Sequence, residues 1–211
     1  MKKRAFTLIE LLVVVAIIAV LASIAVVNFL EAQVRAKVSR AKTDIKAVVT
    51  GVEAYAVDNN NYPTFHYADV PMAHRHFYMG GKVTGFGQPD PDFNGAAPIT
   101  TPIAYLSTMP KDPFLVHEKA DPAETAQFLY VNWPYAVKQM PTHSLAPVFR
   151  YAGALYGPYR LHSPGPALAG PDSGTPYDPT NGTVSTGDIT WGTNTGFGKY
   201  IPFPTNESLS N

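Results

Sequence analysis

The chain divides into two parts with different hydrophobic patterns. Positions 6–30 form an apolar run of 25 residues whose only charged side chain is Glu10. A helix of this length spans roughly 37 Å, which exceeds the hydrocarbon core of a bilayer, about 30 Å thick. A cleaved secretory signal has an apolar region of only about 7–15 residues. The run therefore predicts a retained transmembrane helix at 6–30.

The helical pattern continues beyond this run as an amphipathic stripe. Its apolar positions recur at alternating intervals of four and three residues: Val34, Val38, Ala41, Ile45, Val48, Val52 and Tyr55. This spacing places them on one face of a helix. No proline precedes Pro63, so the pattern predicts one helix, with segment 31–61 continuing the span and Gly51 as its weak interior point. We expect the stripe to pack on the globular part of the same chain.

A change of composition marks the end of the helix. The sequence DNNNYPT at 58–64 concentrates turn-forming residues before a proline. All 20 prolines and 15 of the 16 glycines follow position 62, which indicates a loop-rich globular β domain at 62–211. Within it we expect a short helix at 103–109, a turn at PKDPF (110–114), and strands at 127–133, 147–155, 158–163 and 187–191. The predicted fold class is α+β, a long N-terminal helix packed on a small antiparallel sheet.

The charges argue for a membrane anchor and against nucleic-acid binding. The formal net charge is +0, but half of the 16 basic residues lie in the first 46 positions. The basic residues before the span predict a cytoplasmic N-terminus with the globular domain in the periplasm. Those after it could contact phospholipid headgroups. They lack the interleaved aromatic residues of a nucleic-acid site, so we expect no nucleic-acid partner. The absence of cysteine excludes disulfides and thiolate sites.

The N-terminus resembles a known family. KRA followed by FTLIELLVVVAIIAVLA is similar to the start of type IV pilins and of type II secretion pseudopilins. The resemblance implies a pilin-like fold and a leader peptide at 1–5. It also implies that a prepilin peptidase cleaves between Ala5 and Phe6 and methylates the new Phe6 amine. Ala5 stands where the family usually has glycine.

Glu10 is the residue that the resemblance helps to interpret. A charged side chain at the bilayer centre costs about 2.5–3.5 kcal/mol on insertion scales, which makes it a candidate functional residue. Cleavage would give Phe6 an α-ammonium group that is charged at neutral pH. In a filament of parallel helices, Glu10 of one subunit could then pair with the Phe6 amine of its neighbour. The alternative is that Glu10 lies near the membrane surface and reaches water.

A loop between positions 163 and 192 contains candidate metal ligands. Asp172, Asp178 and Asp188 are hard oxygen ligands of the kind that calcium prefers. Their spacing alone fits ordinary Asx turns better. However, GPDSG at 170–174 and DITW at 188–191 resemble the calcium loop of major, G-type pseudopilins. The resemblance therefore implies calcium as a cofactor with these three aspartates as ligands.

No catalytic site is predicted. His66, His74 and His76 could bind a metal ion, but surface histidines in a variable loop are the preferred interpretation. The sequence has no nucleophile elbow, phosphate-binding loop or HExxH motif. We therefore expect a protein that is not an enzyme.

The resemblance implies a structural subunit of a type II secretion pseudopilus, which drives protein export across the outer membrane. Such a subunit is a single-pass protein of the inner membrane. Its partners would be copies of itself, minor pseudopilins, the prepilin peptidase, and an assembly platform with a cytoplasmic ATPase. Two alternatives stay open. One is a type IV pilus subunit for adhesion, motility or DNA uptake, and the other is a membrane-tethered periplasmic module whose aromatic-rich region 62–160 binds a ligand such as a glycan.

Overall fold

The fold is α+β and pilin-like, with a long N-terminal helix followed by small antiparallel sheets and short helices. A computed structural model of the chain describes residues 7–69, 75–80, 97–115, 127–142, 146–166, 176–180, 185 and 187–198. The helices are α1 (Leu8–Asn59), α2 (Trp133–Gln139) and α3 (Ala146–Tyr156). The strands are β1 (Phe65–Asp69), β2 (Arg75–Met79), β3 (Leu129–Asn132), β4 (Tyr159–Ser163), β5 (Ile189–Gly192) and β6 (Gly196–Phe197).

Helix α1 is continuous over 52 residues, which confirms the single helix predicted from the sequence. It ends where the turn-forming residues begin. Asn60 caps it in the left-handed conformation, with φ of 50°, and asparagine tolerates this conformation better than most residues. Pro63 follows shortly afterwards and prevents the helix from resuming.

The predicted stripe on α1 forms one side of the hydrophobic core. Its buried members are Val38, Ala41, Ile45, Val48, Gly51 and Val52. Val34 and Tyr55, at the two ends of the stripe, are partly buried against the same core. Gly51 is a packing position, because a Cβ added there would lie 3.4 Å from Ile99 Cδ1 and 3.5 Å from Leu106 Cβ. The predicted packing of the helix on its own globular part is confirmed.

In the described part of the chain, the strands form two antiparallel sheets. Strands β1 and β2 make a two-stranded sheet, and the other four pair in the order β3-β4-β5-β6. Central strand β4 pairs Leu161 with Tyr130 on one side and with Trp191 on the other. Strands β4 and β5 confirm the strands predicted at 158–163 and 187–191. Strand β3 begins two residues after the predicted start at 127 and stops at Asn132, whose side chain accepts the Tyr135 N–H (3.0 Å) and caps α2.

The strand predicted at 147–155 is wrong, because this segment is helix α3. Its buried residues, Ala146, Phe149, Ala152 and Tyr156, follow helical spacing. Pro147 lies in the first turn of α3, where proline fits because its missing N–H has no intrahelical partner. Gly153 lets α3 approach α2, since a Cβ there would lie 3.1 Å from Trp133 Cβ.

The short helix predicted at 103–109 is also not formed, because the segment bends without helical hydrogen bonding. Its backbone bonds are made locally instead. Leu106 N–H donates to Ile99 O (3.0 Å), and Tyr105 N–H donates to Ile103 O (3.1 Å). Pro102 and Pro110 flank the segment, and a proline disfavours helical backbone in the residue that precedes it, here Met109. The turn predicted at PKDPF is confirmed, with Phe114 N–H donating to Asp112 Oδ1 (2.9 Å).

A cluster of tyrosines ties the end of α1 to the sheet. Glu53 on α1 accepts hydrogen bonds from Tyr159 of β4 (2.8 Å) and from Tyr62 (3.4 Å). The Tyr130 hydroxyl donates to Pro63 O (3.0 Å). Burial and the neighbouring Glu53 carboxylate raise the pKa of Tyr159 far above its ordinary value. This hydroxyl therefore stays protonated and remains a donor.

Candidate functional site

The first turn of α1 is a capping box built from Thr7 and Glu10. Thr7 is the N-cap, with extended backbone (φ −83°, ψ 149°), and its hydroxyl accepts the Glu10 N–H at 3.3 Å. The Glu10 carboxylate in turn accepts the Thr7 N–H at 2.8 Å and the Thr7 hydroxyl at 2.6 Å. Two N–H groups that lack intrahelical partners are thereby satisfied.

This capping role of Glu10 was missed in the sequence analysis, although a sequence signal was present. The spacing Thr-x-x-Glu before an apolar run is the signature of a capping box. Both hydrogen bonds from Thr7 end on Oε2 of Glu10. Within the part of the chain that the structure describes, Oε1 accepts none, so one carboxylate oxygen stays available to a partner outside this turn.

The apolar half of α1 is exposed along its whole length. The exposed fractions of its large apolar side chains run from 46% at Val14 to 80% at Leu8. By length and composition this helix could cross a membrane, and its most apolar window is not buried against the rest of the molecule. The candidate site is therefore the exposed apolar half of α1, which carries the Glu10 carboxylate close to its N-terminal end.

The predicted cleavage and methylation site, Ala5 and Phe6, lies outside the described residues. Its pairing with Glu10 therefore stays a prediction. His74 also lies outside them.

The candidate calcium ligands lie in different surroundings. Asp172 is outside the described residues. Asp178 is exposed, and its Oδ1 accepts hydrogen bonds from the N–H (2.8 Å) and the hydroxyl (2.6 Å) of Thr180. These bonds hold the pKa of Asp178 below its ordinary value. They form the kind of Asx turn that the spacing favoured.

Asp188 lies inside the molecule at the start of β5. It is 6% exposed, and its Oδ2 is 3.9 Å from Nδ1 of His162, which is 1% exposed. Burial, together with the nearby Arg160 charge, lowers the pKa of His162 well below its ordinary value. The imidazole is therefore neutral, and its contact with Asp188 is dipolar rather than an ion pair.

The described residues do not by themselves form a calcium site. They contain no group of three or more histidine or acidic side chains placed to hold a metal ion. Asp178 faces solvent, whereas Asp188 faces His162. A shared site would need Asp172 and backbone oxygens from the loop that precedes β5.

A groove of about 320 Å³ lies between α2 and α3. Its walls include Trp133, Val137 and Phe149, with Gly153 and Arg150 also lining it. The volume is at the lower end of the range for small-molecule pockets, about 300–1,000 Å³. The lining is mostly apolar and offers few polar groups to orient a ligand. The groove lies within the aromatic-rich region 62–160.

Comparison with known proteins identifies the N-terminal motif. Residues 1–26 match the family model described as the prokaryotic N-terminal methylation motif. This match covers the predicted leader at 1–5, Glu10 and most of the apolar run. The chain therefore carries a prepilin-type N-terminus.

Curated relatives of two kinds match a longer part of the chain. The type IV major pilin protein PilA of Myxococcus xanthus is 34% identical over 113 residues, which are 54% of this chain and 51% of that protein. The type II secretion system core protein G of Escherichia coli is 43% identical over 63 residues, 30% of this chain and 43% of the relative. The core protein G of Pseudomonas aeruginosa is 41% identical over the same number of residues, 30% of this chain and 44% of the relative.

The matched regions thus span about half the length of these relatives or less. No solved structure matches the chain.

Proposed function

We propose that this pilin-like chain is a structural subunit of a type II secretion pseudopilus, assembled through α1 to drive protein export across the outer membrane. The observation that carries the proposal is the exposed apolar half of α1 with Glu10 near its end. Homology to core protein G and to a type IV pilin supports the coarser assignment to pilin-like structural subunits.

The apolar half of α1 must be covered by lipid or by another protein surface. It carries 16 exposed large apolar side chains between Leu8 and Leu30. Burying one such side chain is worth about 1.5–3 kcal/mol, so water cannot be the resting environment of all of them. In our proposal, lipid covers this half of α1 before assembly. In the filament, the α1 helices of neighbouring copies cover it.

Glu10 sets the register between copies in this proposal. Thr7 satisfies Oε2 within one chain, and the charged Phe6 amine of the next copy supplies a partner for Oε1. A carboxylate in an apolar bundle is strongly destabilising unless it is paired. Parallel helices would therefore assemble at the stagger that brings these two groups together.

The proposal fixes the location and the partners. The chain is a single-pass inner-membrane protein with a cytoplasmic N-terminus and a periplasmic globular domain. A prepilin peptidase would process it, and a platform with a cytoplasmic ATPase would extract it. Minor pseudopilins would join copies of the chain in the filament.

The proposal includes a calcium ion bound by the loop that contains Asp172 and Asp178. The solvent-facing carboxylate of Asp178 supports it. Calcium would supply a positive charge that holds loop oxygens together. Asp188, the third predicted ligand, contacts His162 instead, so we place its contribution in the packing of the loop on β4.

A type IV pilus subunit is the second candidate. The match to PilA favours it, because it covers 113 residues against 63 for core protein G. A deletion strain separates the two. Loss of exoprotein secretion without loss of surface fibres supports the pseudopilus, whereas loss of surface fibres with normal secretion supports the pilus.

Intact-mass analysis of the membrane-extracted protein tests the processing that either filament requires. The expected mass corresponds to loss of residues 1–5 and addition of one methyl group. Ala5→Arg, which places a large charged residue at the cleavage site, provides the unprocessed reference. A wild-type chain that still begins at Met1 would contradict both filament assignments.

A further inference from the structure

A short stem of helix α1 connects its apolar half to the part that packs in the core. The exposed large side chains of the apolar half end at Leu30. The first residue of α1 that is buried in the globular part is Val38. We call residues 31–37, which lie between these two, the stem. Within the described chain the stem has no fully buried residue, and Val34 is only partly buried.

The stem has about the length of a lipid headgroup layer. Seven helical residues rise roughly 10 Å. A bilayer of about 40–45 Å contains a hydrocarbon core of about 30 Å, which leaves about 5–8 Å for the headgroups on each side. If the apolar half of α1 fills the hydrocarbon core, the stem crosses the headgroup layer on the side of the globular domain.

Three cationic side chains lie around the helix at this level. Arg35 and Lys37 belong to the stem, and Arg40 lies within one turn of its end. The side chains of Arg35 and Arg40 are 61% and 71% exposed, and Lys37 is exposed as well. Successive residues of a helix are rotated by about 100°, so Arg35 and Lys37 project from nearly opposite sides. Lipid can contact both sides of a helix at once.

Acidic neighbours do not neutralise these cations. Residues 31–40 contain three basic residues and one acidic residue, Glu31, which gives a net charge of +2. Glu31 lies 3.6 Å from Arg35, and Asp44 lies 3.5 Å from Arg40. Ion pairs between exposed side chains are weak and screened by salt, so both guanidinium groups can exchange these partners for phosphate, which arginine binds well. Lys37 forms no ion pair with another described residue.

We propose that Arg35, Lys37 and Arg40 bind the phosphate groups of anionic phospholipids in the leaflet next to the globular domain. The inference rests on the membrane span that is part of the proposed function. Basic residues close to a membrane surface attract anionic lipids, and long basic side chains can reach toward the headgroups while their methylene groups lie on apolar surface. These contacts would fix the depth of α1, and with it the depth of Glu10, before assembly.

Spin-labelled lipids in vesicles that contain the full-length protein test this inference. The probes are phosphatidylglycerol, which is anionic, and phosphatidylcholine, which has no net charge, each added to phosphatidylcholine vesicles. Electron paramagnetic resonance measures the fraction of each probe that the protein immobilises. We expect wild type to prefer phosphatidylglycerol, with a preference that falls at high salt. Lys37→Gln should reduce the preference by up to about fivefold, and the triple variant Arg35→Gln, Lys37→Gln, Arg40→Gln should reduce it further.

Lys46→Gln is the matched control. It removes an exposed cation from the same helix, at a position that lies roughly 24 Å beyond Leu30 and thus outside the headgroup layer. This variant should keep the wild-type preference. The basic residues that precede the apolar run are present in every variant, so a difference between variants reports on the substituted cations alone.

The outcomes separate this inference from the proposed function. Immobilised lipid without a preference for phosphatidylglycerol, or a preference that the triple variant retains, overturns the inference and leaves the membrane span intact. Vesicles in which no lipid is immobilised contradict the span itself, and the inference with it. An unchanged lipid preference combined with loss of filament in the triple variant also overturns the inference, because it assigns the three cations to a contact with a neighbouring copy.

Discussion

At the scale of single residues, two glycines of this chain have opposite tolerance for a side chain. Gly51 lies inside α1, where glycine costs about 1 kcal/mol relative to alanine. An added Cβ there makes ordinary contacts of 3.4–3.5 Å. At Gly187, just before Asp188, an added Cβ would collide with the backbone carbonyl of Pro176. The same substitution should therefore have opposite effects at the two sites.

We predict that Gly51→Ala raises the free energy of unfolding by up to about 1 kcal/mol. Gly187→Ala should lower it by roughly 2 kcal/mol, because the bridge between Pro176 and Asp188 must open. Urea midpoints at constant m-value measure both effects. A destabilised Gly51→Ala chain would show that the contact with Ile99 is tighter than its geometry implies.

A second prediction concerns the tyrosines that hold the end of α1. Tyr159→Phe removes the 2.8 Å hydrogen bond to Glu53 and leaves this carboxylate with the longer bond from Tyr62. We expect a loss of about 1–2 kcal/mol, since bonds to charged groups are worth more than neutral ones. Tyr151→Phe, on the exposed side of α3, is the matched control and should unfold like wild type. Equal stability of all three proteins would show that the Tyr159–Glu53 hydrogen bond does not stabilise the fold.

At the scale of secondary-structure elements, the sequence predicted α1 best because one regular pattern covers it. Its stripe and its stop at DNNNYPT correspond to the buried face and the Asn60 cap. The β4 and β5 strands were predictable from short apolar segments between breakers. Helix α3 was not predictable in this way. Pro147 in its first turn indicates the end of a regular element unless the start of a helix is recognised there. The full burial of Asp112 could not be predicted either, because the PKDPF motif indicates only a local turn and burial depends on residues distant in sequence.

The loop before β5 provides a prediction at this scale. If calcium binds there, chelation should lower the thermal midpoint of the full-length protein and calcium should restore it. Asp178→Asn should remove most of this calcium response. Asp58→Asn, which changes an exposed carboxylate elsewhere, should retain it. A midpoint that does not respond to chelation would show that hydrogen bonds such as that between Ser185 and Asp178 suffice to hold the loop.

At the scale of the whole molecule, the two halves have separate tasks. The second half of α1 packs on the sheets, whereas the first half has no cover within the described chain. The sequence gives this division directly, because the apolar run is charged only at Glu10. The spacing Thr-x-x-Glu also signals the capping role of Glu10, but it does not show that both Thr7 hydrogen bonds end on Oε2 and leave Oε1 to a second partner.

The capping box makes it possible to separate these two roles by mutation. Glutamine also serves as the fourth residue of a capping box, so Glu10→Gln retains the first turn of α1 but removes the charge. Thr7→Ala has the reverse effect, because it removes the cap and keeps the carboxylate. Glu31→Gln neutralises a surface ion pair with Arg35 on the same helix and is the control for loss of one negative charge.

The most direct measurement is the amount of sheared or sedimented filament formed by Glu10→Gln in cells that express it at wild-type level. We predict that this variant is inserted and processed but yields little or no filament. Thr7→Ala and Glu31→Gln should retain most of the filament. Wild-type amounts of filament from Glu10→Gln would contradict the proposed pairing between the carboxylate of one copy and the N-terminal amine of the next.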